Sequence, residues 1–285
     1  MATLVTEPAL RDFELLLFTL ALWNPTKPRL YIMTDSASKI AVVSAVARFY
    51  AGVPVNIKTS LSDYTGLTRA EMERRPGKKY ETLFGDFTAE KTGLMEWALA
   101  SEPEGVLFCD ADICHLAPLP LLPDSAVLAL SPHRIREGDA AKYGYYNAGY
   151  LWIQKAEIVA QWREACGRSR FFEQACLEEL ASTWKEGLYE FPVQINYGWW
   201  RLWQGTASPS ELQKAWSFFR PADGASSGLL VEGTALQSVH THWHEKQDAA
   251  TRAFNQWVLE KLRKLNSVKK TKQLTQLLEQ RASQN

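Results

Sequence analysis

Residues 104–116 read EGVLFCDADICHL. Val106, Leu107, Phe108 and Cys109 form a short apolar run, the pattern of a buried strand. The run ends on two aspartates one residue apart, Asp110 and Asp112. Two carboxylates at the end of a buried strand repel each other and lose hydration. They are most cheaply kept when a cation lies between them. In open α/β sheets, ligands bind beyond the carboxyl ends of the strands. Hard oxygen donors there suit Mn²⁺ or Mg²⁺, ions that leave positions open for water and substrate phosphates. The pair alone fits equally well an aspartate that caps the next turn beside a solvent-facing neighbour.

Working outward from that strand, the N-terminal side alternates. ATLVT (2–6) reads as a strand and ALRDFELLLFTLALW as a helix. RLYIMTD (29–35) is a second apolar run, and it ends on Asp35. SASKIAVVSAVARFYAG predicts a helix with Ser36 as N-cap and Gly52 at its end. VPVNIKTS (53–60) is a third strand. This alternation predicts an α/β fold, a parallel sheet with helices on its faces. Residues 61–86 are polar, carry ERRPGKKYE and read as a loop or flap. DFTAEKTGLMEWALAS predicts a helix with Thr88 as N-cap, and Leu94, Met95, Trp97 and Ala98 on or near its buried stripe. Beyond Asp112, AVLALSP and YNAGYLWIQ read as strands and 156–182 as helical. The stretch 183–245 is aromatic-rich and irregular. The economical division is one α/β domain over 1–250 and a helical tail over 251–285.

The chain of 285 residues is long enough for a sizeable core. Its 32 basic and 32 acidic residues cancel, which argues against a nucleic-acid coat or a strongly basic membrane protein. None of the four cysteines forms a C-x-x-C pair, so reduced core thiols are expected in place of a disulfide scaffold. There is no basic region followed by a long apolar run, and no apolar stretch approaches about 18 residues. A cytoplasmic protein is the expectation.

VLFCDADICHLAPLP resembles the strand, D-x-D and P-L signature of glycosyltransferases with the GT-A fold. Asn147, Ala148 and Gly149 in YYNAGYLWI look like the N-x-G that opens a later strand of that fold. SVHTHWHEK is similar to the late H-x5-K element of the retaining, glycogenin-like family 8. FTAEKTGLMEW resembles the helix that precedes the D-x-D strand. These elements occur in the family's order between about residue 2 and 250. The resemblance implies a GT-A fold, a Rossmann-like, mixed and mainly parallel sheet flanked by helices, here with a C-terminal helical extension. It also implies a nucleotide-diphosphate sugar donor and a glycan or lipid-linked acceptor.

In that reading Asp110 binds metal and lies near the ribose, with Ala111 between the aspartates also at the nucleotide. Asp112 is the main chelator and His240 the third protein ligand. Lys246 touches the diphosphate, and Lys91 and Asn147 face the donor sugar. The family's D-Q pair corresponds to Glu173-Gln174, which makes Gln174, with Asn147, a candidate beside the reacting sugar of a retaining enzyme. His242 lies two residues after His240, so on a strand both face one side and either can be the ligand. Thr6, Glu7 and Asp35 end the first strands, where base and ribose are expected; Asp35 fits a helix N-terminal carboxylate equally well. Trp199 and Trp200 suit an acceptor subsite, since sugar C–H faces stack on aromatic rings, and suit a core cluster as readily.

Two other classes compete. A sugar nucleotidyltransferase would carry a Gly-rich loop after the first strand, where this chain has EPALRD. A non-catalytic glycan-binding protein would need the tryptophans but not Asp110, Asp112, His240 and Lys246 together. The tail gathers Lys261, Arg263, Lys264, Lys269, Lys270 and Lys272 around spaced leucines. It fits a peripheral membrane contact or a helix that folds back on the domain.

Overall fold

A computed structural model of the chain describes residues 1–244 and 248–282. The N-terminal half holds β1 (Ala2–Val5), α1 (Leu10–Trp23), β2 (Leu30–Thr34), α2 (Lys39–Phe49) and β3 (Val55–Thr59). Every residue of β1 and β2 is buried, as their nearly unbroken apolar runs require of strands covered on both faces. The three strands run parallel, with Val5 beside Thr34 and Ile32 beside Ile57. After α3 (Arg69–Arg74) and α4 (Leu83–Leu99), β4 (Val106–Cys109) joins the sheet on the other side of β1, again parallel.

β5 (Ile113–His115) leaves that sheet. β6 (Leu128–Pro132), α5 (Glu137–Tyr143), β7 (Tyr146–Ile153), α6 (Ala156–Cys166), α7 (Leu177–Thr183) and β8 (Leu188–Glu190) follow. The central sheet has the order β3-β2-β1-β4-β7-β6-β8. β7 runs against both neighbours, and the other pairings are parallel. This is the mixed, mainly parallel sheet that the alternation predicts. The chain departs from β1 toward β2 and from β4 toward β7. The carboxyl ends of β1 and β4 therefore border the crevice where the strand order reverses.

The aromatic-rich stretch is more regular than its sequence suggests. It forms β9 (Tyr197–Gly198), α8 (Arg201–Gln204), α9 (Pro209–Lys214), β10 (Trp216–Phe218), β11 (Leu229–Val231), β12 (Thr234–Ala235) and β13 (Ser238–His240). These make two small sheets, β10-β11-β12 and β5-β13-β9. The tail forms α10 (Ala249–Arg263) and α11 (Lys269–Ala282). Phe254, Val258, Leu262, Leu274 and Leu278 are buried in one cluster with Leu15, Tyr197, Trp216 and Val239. The tail's apolar face is thus covered by the domain, and the membrane contact considered above loses the surface it needs. Among the described residues, no helix is long and apolar enough to cross a membrane.

Three local expectations are corrected. Ser36 does not cap α2: the Asp35 carboxylate accepts from Ser38 N at 2.9 Å and Ser38 Oγ at 2.7 Å, and this Asp-initiated turn starts the helix. Thr88 does not cap α4 either. The helix starts earlier, where Thr82 Oγ1 accepts from Gly85 N at 3.1 Å, and Thr88 lies inside it with its hydroxyl donating to Gly85 O. The polar stretch 61–86 is tied down. Thr68 and Glu71 form a reciprocal cap, and the Asp86 carboxylate accepts from the backbone N–H groups of Lys78, Lys79 and Tyr80. All four cysteines are buried and free.

Candidate functional site

Asp110 follows directly on β4, where its backbone N–H donates to Gly149 O of β7 at 2.8 Å. The chain then turns into β5, which pairs with β13 so that Ile113 faces His240. That pairing sets Asp112 beside His240, and Thr241 N donates to Asp112 O at 3.2 Å. One ligand atom from each of Asp110, Asp112 and His240 lies within 4.8 Å of the others. His240 Nε2 is 3.2 Å from Asp112 Oδ1 and 3.9 Å from Asp110 Oδ2. His242 Nδ1 is 3.1 Å from Asp112 Oδ2. Both histidines of the H-x-H pair therefore meet Asp112, from a buried and a more exposed side.

The approach is close. A Cβ on Gly149 would stand 2.4 Å from both Asp110 Oδ2 and His240 Cε1, so the third residue of Asn-Ala-Gly is one that only glycine fills without displacement. A compact pair of carboxylates with one imidazole nitrogen, gathered in a hollow that a single methyl group would fill, suits a hard divalent cation.

Lys91 is buried in α4 and forms ion pairs with Asp110 Oδ1 at 3.1 Å and Glu173 Oε1 at 2.9 Å. It also donates to Ala148 O at 3.2 Å. Burial alone would lower its pKa, but the two carboxylates outweigh burial and hold it charged. Burial raises the Asp110 carboxyl above its ordinary value; Lys91 opposes the shift and Asp112 adds to it. Burial acts upward on Asp112 too, but His240 and His242 outweigh it, and this carboxyl lies well below the usual range. The two aspartates are thus held unequally, and Asp112 is the more firmly anionic.

Asn147 and Gln174 meet at the mouth of β7. Gln174 Oε1 accepts from Asn147 Nδ2 and Ala148 N, each at 3.2 Å, while Gln174 Nε2 donates to Tyr143 O at 2.8 Å. The ring of Trp200 lies between His240 and His133, with centroids 5.1 and 5.3 Å away. Trp199 is part-buried and packs on the C-terminal cluster. Thr6 and Glu7 follow β1, half-buried and exposed, on the crevice side of the sheet. Ala111 is buried with Cys109 and Ile113. Asp35 is buried, with both oxygens engaged by Ser38. Lys246 lies outside the described residues.

Several positions at the site carry no sequence signal. Asn196 bonds His240, and Asn255 of α10 donates to His242 O at 2.8 Å. The Asp12 carboxylate accepts from Trp243 N at 3.0 Å and His244 N at 3.2 Å. Each is a lone polar residue in a helical or irregular stretch. What sets it apart is burial, which the sequence does not display.

No family model matches the sequence, and no curated protein matches it. The chain is similar to several solved structures. With mouse xyloside xylosyltransferase 1 it shares 10% identity over 87% of this chain and 98% of that one, at a TM-score of 0.48. With the glycosyltransferase GlyE of Streptococcus pneumoniae TIGR4 it shares 13% identity over 98% of this chain and 63% of that one, at 0.49. With the bifunctional glycosyltransferase WbbM it shares 10% identity over 70% of this chain and 39% of that one, at 0.43. The chain spans less than two thirds of the length of these last two proteins.

Proposed function

We propose that the chain is a metal-dependent glycosyltransferase that moves a sugar from a nucleotide-diphosphate donor to a hydroxyl acceptor, with retention of configuration. The observation that carries this reading is the Asp110, Asp112 and His240 ligand set at the end of β4. It lies in the crevice where an open α/β sheet binds its ligands. Asp110, Asp112 and His240 hold Mn²⁺ or Mg²⁺, with His242 supporting Asp112 from the exposed side. When bound, such a cation supplies the Lewis acidity that offsets charge on a departing diphosphate.

Thr6, Glu7 and Ala111 border the nucleotide, and Lys246 provides a point charge for the diphosphate. Lys91 keeps Asp110 ionised and oriented from behind. The Asn147 and Gln174 amide pair borders the donor sugar, and Trp199 and Trp200 line the acceptor side, for a glycan or lipid-linked acceptor. Retention fits the state of the two acids that could otherwise serve as an acceptor base. Glu173 is paired with Lys91, and Glu190 accepts from Tyr146 OH at 2.6 Å. Residues 1–250 form the catalytic domain in this reading, braced by the helices of 251–285. Four buried thiols suit a reducing, cytoplasmic setting.

The test is Mn²⁺-dependent release of nucleoside diphosphate from a panel of nucleotide sugars. Asp112→Ala is expected to abolish release while leaving the fold intact. Release of pyrophosphate instead would assign a nucleotidyltransferase, and unchanged turnover in Asp112→Ala would remove the metal site from the reaction. Proton NMR of the first-formed product reads the anomeric outcome, and an inverted coupling excludes retention.

A further inference from the structure

Asn196 is buried and adopts a left-handed backbone conformation, with φ of 57°. Asparagine is among the few non-glycine residues that accept this region readily. Its backbone N–H donates to Ser238 Oγ at 3.0 Å, which ties the turn to β13. Its side chain points the other way along the site. Nδ2 donates to Asn147 Oδ1 at 2.9 Å, and Oδ1 lies 2.8 Å from His240 Nδ1.

The direction of this chain of bonds follows from two backbone groups that can only donate. Gly149 N–H reaches Asn147 at 3.0 Å, so the Asn147 atom there is its oxygen. Ala148 N–H reaches Gln174 at 3.2 Å, so the Gln174 atom there is also an oxygen, and it takes a second bond from Asn147 Nδ2. Both anchors give Asn147 the same orientation. His133 agrees with it: its Nδ1 bonds Gly144 O at 2.9 Å, which leaves its Nε2 to accept from Asn147 Nδ2 at 3.2 Å. Asn196 must then turn its NH₂ to Asn147 and its oxygen to His240. An oxygen at that place requires a proton on His240 Nδ1, so Nε2 is the only ring nitrogen left to meet a cation. That nitrogen is the one facing Asp110 and Asp112.

We propose that Asn196 is the positioning residue of this centre: relaying the orientation of the Gly149 N–H through Asn147, it keeps a proton on His240 Nδ1 and so presents Nε2 between the two aspartates. The value of this for metal binding rests on the metal reading given above. Ligating histidines are commonly fixed through their second nitrogen by carboxylates or backbone carbonyls, and loss of such a partner typically costs roughly 10–100-fold in metal affinity. Here a side-chain amide fills that place. A carboxylate at 196 would still accept from His240 but would face the Asn147 oxygen, whereas the amide satisfies both neighbours.

Nitrogen-detected imidazole NMR on the metal-free protein at about pH 8, where ordinary imidazoles are neutral, reads the tautomer directly. The parent is expected to show His240 protonated on Nδ1. Asn196→Gly accepts the left-handed backbone without the amide and is expected to shift His240 toward the Nε2–H form and to weaken Mn²⁺ binding, measured calorimetrically with the metal alone, by tenfold or more. Asn196→Asp restores an acceptor and is expected to recover the Nδ1–H signature. A His240 Nδ1 without a proton in the parent overturns the proposal without reference to any variant. So does a folded Asn196→Gly with the parent's tautomer. A parent with the expected tautomer and no affinity for Mn²⁺ sinks the metal reading instead and leaves the tautomer assignment standing.

Discussion

Gly149 lies so close to Asp110 that a Cβ on it would stand 2.4 Å from the carboxylate Oδ2. Backbone hydrogen bonding between the same two residues, Asp110 N to Gly149 O, prevents the strands from separating to make room. In Gly149→Ala the side chains of Asp110 and His240 must move instead. The fold is expected to persist, with a melting temperature within a few degrees of the parent, while Mn²⁺ affinity falls at least tenfold. Calorimetric titration beside a thermal melt checks both parts, and unchanged affinity would show that the hollow is not where the ion sits.

Lys91 is the buried counter-charge of both Asp110 and Glu173. Removing one member of a buried ionic group strands the others, at a cost of roughly 3–5 kcal/mol. Lys91→Met is expected to lower unfolding stability by that order in chelator. Mn²⁺ is expected to stabilise the variant more than it stabilises the parent, because the ion supplies the missing positive charge. Urea unfolding with and without Mn²⁺ measures the difference. Equal stability of parent and variant would contradict the role given to Lys91.

Burial lowers the pKa of His133 to about 4 and that of His115 to about 3. Both are neutral in the folded protein at pH values where the unfolded chain, titrating near 6.5, takes up protons. The unfolded state therefore binds more protons throughout the interval from about 6.5 down to about 4, and stability declines as pH falls through it. Each histidine contributes up to about 1.4 kcal/mol per pH unit. Urea midpoints compared near pH 7 and near pH 5 report the slope. Replacing His115 with Gln is expected to reduce it, and a flat profile would argue against two neutral buried imidazoles.

Leu274 and Leu278 of α11 are buried with Trp216, Val239 and Phe254. Leu274→Ala is expected to cost about 2–5 kcal/mol, the range for an aliphatic core truncation. A chain ending at residue 266 is expected to be less stable still. Neither the full chain nor the shortened one is expected to sediment with anionic vesicles at low salt, where such attraction is strongest. Sedimentation of the full chain alone would restore the membrane reading of the tail.

The inner strands of the central sheet are legible in the sequence because they are buried on both faces and appear as nearly unbroken apolar runs, as in LYIMT and VLFC. The D-x-D pair is legible because charge at such a strand end is costly. Helix starts are less so. Thr82 and Thr88 both precede spaced apolar residues, and the choice of Thr82 depends on Asp86 gathering the loop before it. The strands of the second sheet are illegible for another reason. β9 and β13 contain two and three residues, too few to display a period, and the pairing of β13 with β5 joins distant parts of the chain. The H-x-H spacing marks two histidines on one side of a strand, but the acceptor that fixes the ring of His240 is an isolated asparagine.

The pairing of β5 with β13 also orders events in time. Asp110 and Asp112 emerge from the ribosome with the parallel strands β1 to β4, whereas His240 follows only after the aromatic-rich segment has been made. Contacts between such distant segments form late, because the loop between them must first be closed. A nascent chain can therefore complete most of its parallel sheet while its aspartates have no imidazole beside them. Translation that stops before β13 yields a product that keeps both carboxylates and lacks the third ligand. The late strand acts as a check on completeness: the centre comes together only in chains synthesised past it.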